Sequence, residues 1–121
     1  MMQPEHQLYS YSYLYRITST SPSFIHKMIG LFVSSLDEYV SELELLLQSK
    51  NLQELKKVLH KMKPSMMNLE IKGAGEILSK VSESGTWTTT TSDNIRQLRD
   101  TLKEIKPLME QDLHELSKEV S

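Results

Sequence analysis

Cysteine is absent from this chain, which removes disulfide scaffolds and thiolate chemistry and suits a reducing compartment. Long apolar runs are also missing: none approaches the ~18 residues that a membrane span needs. The start, Met1-Met2-Gln3-Pro4-Glu5-His6, has neither a basic stretch nor an apolar core and does not read as a secretory signal. Neither sign of charge is in excess. The 14 basic and 16 acidic residues leave a formal net charge of −2, so the balance does not point to nucleic acid. The four glycines never fall in a GxxxxGK[ST] phosphate loop, and paired carboxylates for acid–base work are lacking. The expectation is a soluble cytoplasmic protein of one domain, since 121 residues are too few for two.

What is present is helical periodicity. From Pro22 to about Ser49 apolar residues recur as Ile25, Met28/Ile29, Phe32, Leu36, Tyr39/Val40, Leu43 and Leu46/Leu47, with Ser21-Pro22 as the start signal. Gly30 inside this helix costs about 1 kcal/mol relative to Ala and suggests a close helix contact. Asn51 and Glu54 form an approximate capping box for a second helix, after a loop short enough to force it antiparallel to the first. Its stripe is Leu52, Leu55, Val58/Leu59, Met62, Met66 and Leu69. Lys72-Gly73-Ala74-Gly75 marks a break or a weak helix start. Ile77, Leu78 and Val81 then predict a short helix to about Ser84, ended by Gly85. Thr86–Thr91 reads as a loop, with Trp87 packed on the edge of the core. Ser92 or Asp93 is expected to cap the last helix, whose stripe is Ile95, Leu98, Leu102, Ile105, Leu108/Met109, Leu113 and Leu116. Pro107 predicts a kink or break near Lys106, and the tail from Ser117 is expected to fray.

The N-terminal side is less regular. Residues 1–8 read as a flexible leader. Tyr9-Ser10-Tyr11-Ser12-Tyr13-Leu14-Tyr15 alternates as a strand would, but a lone strand has no partner in a helical chain. A short helix from about Ser12 to Thr18 is expected instead, packing Leu14 and Ile17. The fold class is therefore all-α: an antiparallel up-down four-helix bundle with a short extra N-terminal helix, in a single domain over 9–121. One such bundle can bury all four stripes, so a monomer is expected.

One stretch, Leu59-His60-Lys61-Met62-Lys63-Pro64-Ser65, carries the chemistry. At about 100° per residue, His60 lies roughly 140° around the helix from the centre of the apolar stripe and points outward. Lys56, Lys57 and Lys63, at i−4, i−3 and i+3, share its face within about 60°. An exposed imidazole among ammonium groups is a place to put a dianion. His60 has no His or carboxylate at i±3 or i±4, so no metal site is expected there. His6, His26 and His114 stand in no motif.

The string His60-Lys61-Met62-Lys63-Pro64-Ser65, set in this order of helices, resembles the His-x-Leu/Met-Lys-Gly-Ser/Ala signature of histidine-containing phosphotransfer domains. The resemblance covers roughly Tyr9 to the C-terminus. It implies a relay intermediate of two-component signalling. His60 would accept a phosphoryl group from a receiver-domain phosphoaspartate and pass it to another receiver. Lys63 would stabilise the phosphoryl oxygens, and Lys56 and Lys57 would add attraction. Pro64, where the family has glycine, and Met67, within about 20° of His60 on the helix, would meet the partner. The partners implied are response-regulator or hybrid-kinase receiver domains, which would bring the Mg2+. The chain itself would be a carrier without a cofactor and not an enzyme. The rival reading is a helical adaptor that docks receivers or other partners without carrying phosphate.

Overall fold

The computed structural model describes residues 8–17 and 21–120. Residues 1–7 of the leader expected over 1–8, and the expected end of the first helix at Thr18, lie outside the described residues. The described residues form five helices and no strand: α1 (Ser12–Ile17), α2 (Pro22–Ser49), α3 (Leu52–Asn68), α4 (Ala74–Glu83) and α5 (Thr89–Val120). Helix α2 packs most extensively on α5, α3 packs against α2 and α4, and α4 packs against α5. Among the described residues no helix is long and apolar enough to cross a membrane.

Periodicity explains the long elements. Ile25, Ile29, Phe32, Leu36, Leu43 and Leu46 of α2 are buried, and so are Leu55, Leu59, Met62 and Met66 of α3. Ile95, Leu98, Leu102, Ile105, Met109 and Leu116 close the core from α5. Each such side chain contributes about 2 kcal/mol of transfer free energy. Lys50, in the left-handed region at φ 54°, reverses the chain between α2 and α3, and Asn51 Oδ1 accepts the N–H of Glu54 at 3.1 Å. Gly73, at φ 78°, caps the start of α4; only glycine holds that conformation without strain.

The N-terminal segment departs from expectation in an informative way. The alternating tyrosines do find a partner: the turn between α3 and α4. The Ser10 N–H donates to the Leu69 carbonyl at 3.0 Å, and the Lys72 N–H donates to the Leu8 carbonyl at 2.8 Å. Leu8 therefore belongs to the folded body rather than to a leader. Tyr9 and Tyr11 are buried, and both hydroxyls donate to Asp112 Oδ2 on α5, that of Tyr11 at 2.7 Å. Burial, then the hydrogen bond to Asp112, pushes both phenols well above their ordinary pKa. Leu14 packs as expected, but Ile17 is 55% exposed and Tyr15 takes the second buried place.

Other corrections concern caps and prolines. Helix α5 begins at Thr89, within the stretch read as a loop, and its cap is neither Ser92 nor Asp93. Thr88 caps it: its Oγ1 accepts the Thr91 N–H at 3.3 Å, while Thr91 Oγ1 accepts the Thr88 N–H at 3.1 Å. Ser92 is instead buried, accepting the Trp87 Nε1–H at 2.8 Å. Trp87 does pack against the core. Pro107 does not break α5, because buried residues on both sides (Ile105, Met109) anchor the two halves while the ring faces solvent. The helix also runs on to Val120 rather than fraying from Ser117, held by the fully buried Leu116. Ser21 precedes α2 but makes no side-chain capping bond. A Cβ on Gly30 would meet nothing within 4 Å, so no close helix contact depends on it. Gly85 is not in the left-handed region; α4 stops because Ser84 turns extended, at ψ 137°.

Candidate functional site

His60 is exposed because the apolar stripe of α3 is buried on the opposite face. Leu59 and Met62 on either side are buried at 3% and 0%, and Leu55 and Met66 extend the same stripe. With the Asn51 cap this fixes the rotation of α3 about its axis. Lys61, on the flank turned toward α2, pairs with Glu42 at 3.1 Å. That hydrogen bond to Glu42 holds the Lys61 ammonium above its ordinary pKa. The other flank of His60 faces α4.

Between α3 and α4 lies a groove of about 640 Å³. Its α3 wall carries Lys56, Lys57, His60, Lys63 and Met67, so five of the six sequence-derived site residues come together there. The sixth, Pro64, is exposed but does not line the groove. Ser65 is half-buried and stands outside it too. Helix α3 continues through Pro64 to Asn68 without a break. Proline has no N–H, so the His60 carbonyl lacks its usual partner one turn on.

The opposite wall comes from α4. Leu78 and Val81 form its apolar part, and Gly75, Ser79 and Ser82 make the rest of that side narrow. Small residues at i, i+4 and i+7 leave that face of α4 without bulky side chains toward the groove. A Cβ on Gly75 would stand 3.6 Å from Met67 Cε, an ordinary packing distance, so the Met67 thioether lies beside Gly75 across the groove. The α4 contribution was not anticipated from sequence, although the Gly75/Ser79/Ser82 spacing was legible as a stripe of small residues.

The lysines are not equivalent. The Lys56 ammonium donates to the Ser84 carbonyl at 2.7 Å, where it meets the negative end of α4. Lys57 pairs with Glu54 at 3.4 Å. Among the described residues the Lys63 side chain makes no ion pair or hydrogen bond, and neither does the His60 ring. The groove thus holds one outward imidazole and one uncommitted ammonium a single helical turn away, beside an apolar patch made by Met67, Leu78 and Val81.

No family model, curated protein or solved structure matches this chain.

Proposed function

We propose that this protein is a histidine phosphotransfer intermediate, with His60 the phosphoryl acceptor. The observation that carries the reading is the pairing of exposed His60 with uncommitted Lys63 on the wall of an open groove. A ring nitrogen that reaches solvent can attack phosphorus in line, and Lys63 then neutralises charge on the transferred oxygens. Transfer of this kind is mainly positioning and charge stabilisation, which a rigid helix supplies. The donor and acceptor are aspartates of receiver domains, which bring the divalent metal in their own acidic pockets. The chain acts as a carrier and not as a kinase.

The same reading takes α2 to α5 as an antiparallel up-down four-helix bundle, with α1 laid across one end. Two contacts between α3 and α4 support it. Lys56, early in α3, reaches Ser84 after the end of α4, while Met67, late in α3, lies by Gly75 near the start of α4. The two helices therefore run in opposite directions. Glu42–Lys61 ties α2 to α3, and Asp37–Lys106 ties α2 to α5 at 2.9 Å.

Incubation with a phosphorylated receiver tests the proposal. Wild type should acquire an acid-labile, base-stable phosphate, and His60→Gln should not. A phosphate that persists in His60→Gln, or none in wild type, refutes it. One feature favours the rival adaptor reading: Met67 is 46% exposed on the groove wall, an apolar contact suited to docking. Receiver binding that survives in His60→Gln while no phosphate is ever transferred would select that reading.

A further inference from the structure

The groove contains more hydrogen-bonding groups than are free to act, and subtracting the committed ones leaves a short set. Lys56 is held by the Ser84 carbonyl and Lys57 by Glu54. On the α4 wall, the Ser82 hydroxyl donates to the Ser79 carbonyl at 2.9 Å, so its proton is engaged within its own helix. The Ser84 hydroxyl is engaged likewise, by the Lys80 carbonyl at 2.8 Å. The Ser79 hydroxyl makes no hydrogen bond among the described residues. It is exposed and lines the same groove as His60 and Lys63. The uncommitted polar groups of the groove are therefore His60 and Lys63 on one wall and the Ser79 hydroxyl on the other.

We propose that Ser79 is a positioning residue for the phosphoryl group: its hydroxyl donates a hydrogen bond across the groove to an oxygen of the group carried on His60. This rests on the reading of His60 as the acceptor. The three oxygens of a phosphorylated imidazole then divide simply. Lys63 takes one from along α3, Ser79 takes one from α4, and the third faces the opening where a partner's metal would stand. A hydroxyl suits this place because it gives direction without adding charge, so it holds the group without tightening it against onward transfer. The neighbouring positions cannot substitute. Gly75 has no side chain, and Ser82 has already given its proton.

A small donor tests this without knowledge of the receiver. Phosphoramidate, a phosphoryl group bonded to an ammonium nitrogen, transfers that phosphoryl group to the imidazole. Its N–P bond breaks, a new N–P bond forms, and the ring proton leaves with ammonia as ammonium. The rate of phosphorylation at His60 is followed against donor concentration, together with the phosphorus NMR resonance of the product, in wild type, Ser79→Ala and Ser79→Thr. His60→Gln supplies the background from the other histidines. Ser79→Ala should lower the second-order rate constant about threefold to tenfold and move the resonance. Ser79→Thr, which keeps the hydroxyl, should restore both. Alanine is the better helix former at this exposed site, so loss of fold does not explain a deficit. Equal rates and resonances in wild type and Ser79→Ala, or no rescue by threonine, overturn the role of Ser79 and leave the reading of His60 standing. A wild-type signal no greater than that of His60→Gln overturns both.

Discussion

The ammonium of Lys56 rests on the carbonyl oxygen of Ser84, 2.7 Å away, although Lys56 shares a helix face with His60. One cation on that face thus closes the end of α4, while another, Lys63, stands free toward the groove. Replacing each by methionine, which keeps the apolar stem, separates the two roles. Lys56→Met should cost about 1 kcal/mol, near 4 °C in Tm for a chain of this size, and leave phosphoryl uptake within about twofold. Lys63→Met should leave Tm nearly unchanged and slow uptake about tenfold or more. Thermal unfolding and phosphorylation rates measured on both variants decide it; a reversed pattern would mean that Lys56 is the cation acting on phosphate.

The two tyrosines that meet Asp112 make stability depend on alkaline pH. A phenol held above its unfolded pKa keeps its proton in the native state over a range where the unfolded chain has lost it. Its contribution is therefore complete below about pH 10 and declines as pH rises beyond that value. Tyr9 and Tyr11 both shift this way, each giving a slope on the order of 1 kcal/mol per pH unit above about pH 10. The ammonium groups of Lys61 and Lys106 are raised by Glu42 and Asp37, so they act in the same direction. Tyr9→Phe/Tyr11→Phe should be less stable than wild type near neutrality, because Asp112 loses two donors, yet should lose less on passing to about pH 11. Urea unfolding at a series of pH values measures this, and parallel curves for the two proteins would contradict it.

These tyrosines also mark where reading the sequence reached its limit. The stripes of α2, α3 and α5 follow from a 3.6-residue period, and the outward direction of His60 follows from the same arithmetic. Tyr9 and Tyr11 obey a period of two, which is uninformative until a partner is known. Their partners are the backbone of the α3–α4 turn and a carboxylate 101 positions away from Tyr11. The α4 wall of the groove escaped for a related reason. Gly75, Ser79 and Ser82 are ordinary polar or small residues until the fold sets them opposite His60. Caps are short-range and should have been legible. Threonine repetition hid the start of α5, because Thr88 through Thr91 offers several cap positions of equal chemistry and only packing of Trp87 and Ser92 selects one.

That selection can be checked. Thr88→Ala removes the acceptor for the Thr91 N–H and should cost about 1 kcal/mol, whereas Thr88→Asp should retain most of it. Asp93, the alternative cap, only pairs with Arg96 at 3.3 Å on the exposed surface, so Asp93→Ala should change stability by less than about 0.5 kcal/mol. Denaturant midpoints for the three variants distinguish the registers. A larger loss for Asp93→Ala than for Thr88→Ala would place the start of α5 about a turn and a half later.

Pro64 links stability to the site most directly. It sits inside α3 with no N–H to offer the His60 carbonyl, yet the helix passes through it, because Met62 and Met66 are buried on either side. Pro64→Ala restores the missing donor and removes the ring that crowds the carbonyl of His60. It should stabilise the protein by up to about 3 kcal/mol, the amount by which proline falls short of alanine inside a helix. Pro64→Gly should gain less, since glycine loses about 1 kcal/mol more than alanine in chain entropy. Because Pro64 stands outside the groove, neither change should alter phosphorylation of His60 by a small donor more than about twofold. On the proposed reading, transfer from a whole receiver is the sensitive arm, because a docked partner would cover the surface beyond the groove. If Pro64→Ala proves less stable than wild type, the backbone around His60 is built around the ring rather than merely tolerating it. The free carbonyl of His60 would then have to be counted among the groups that shape the site.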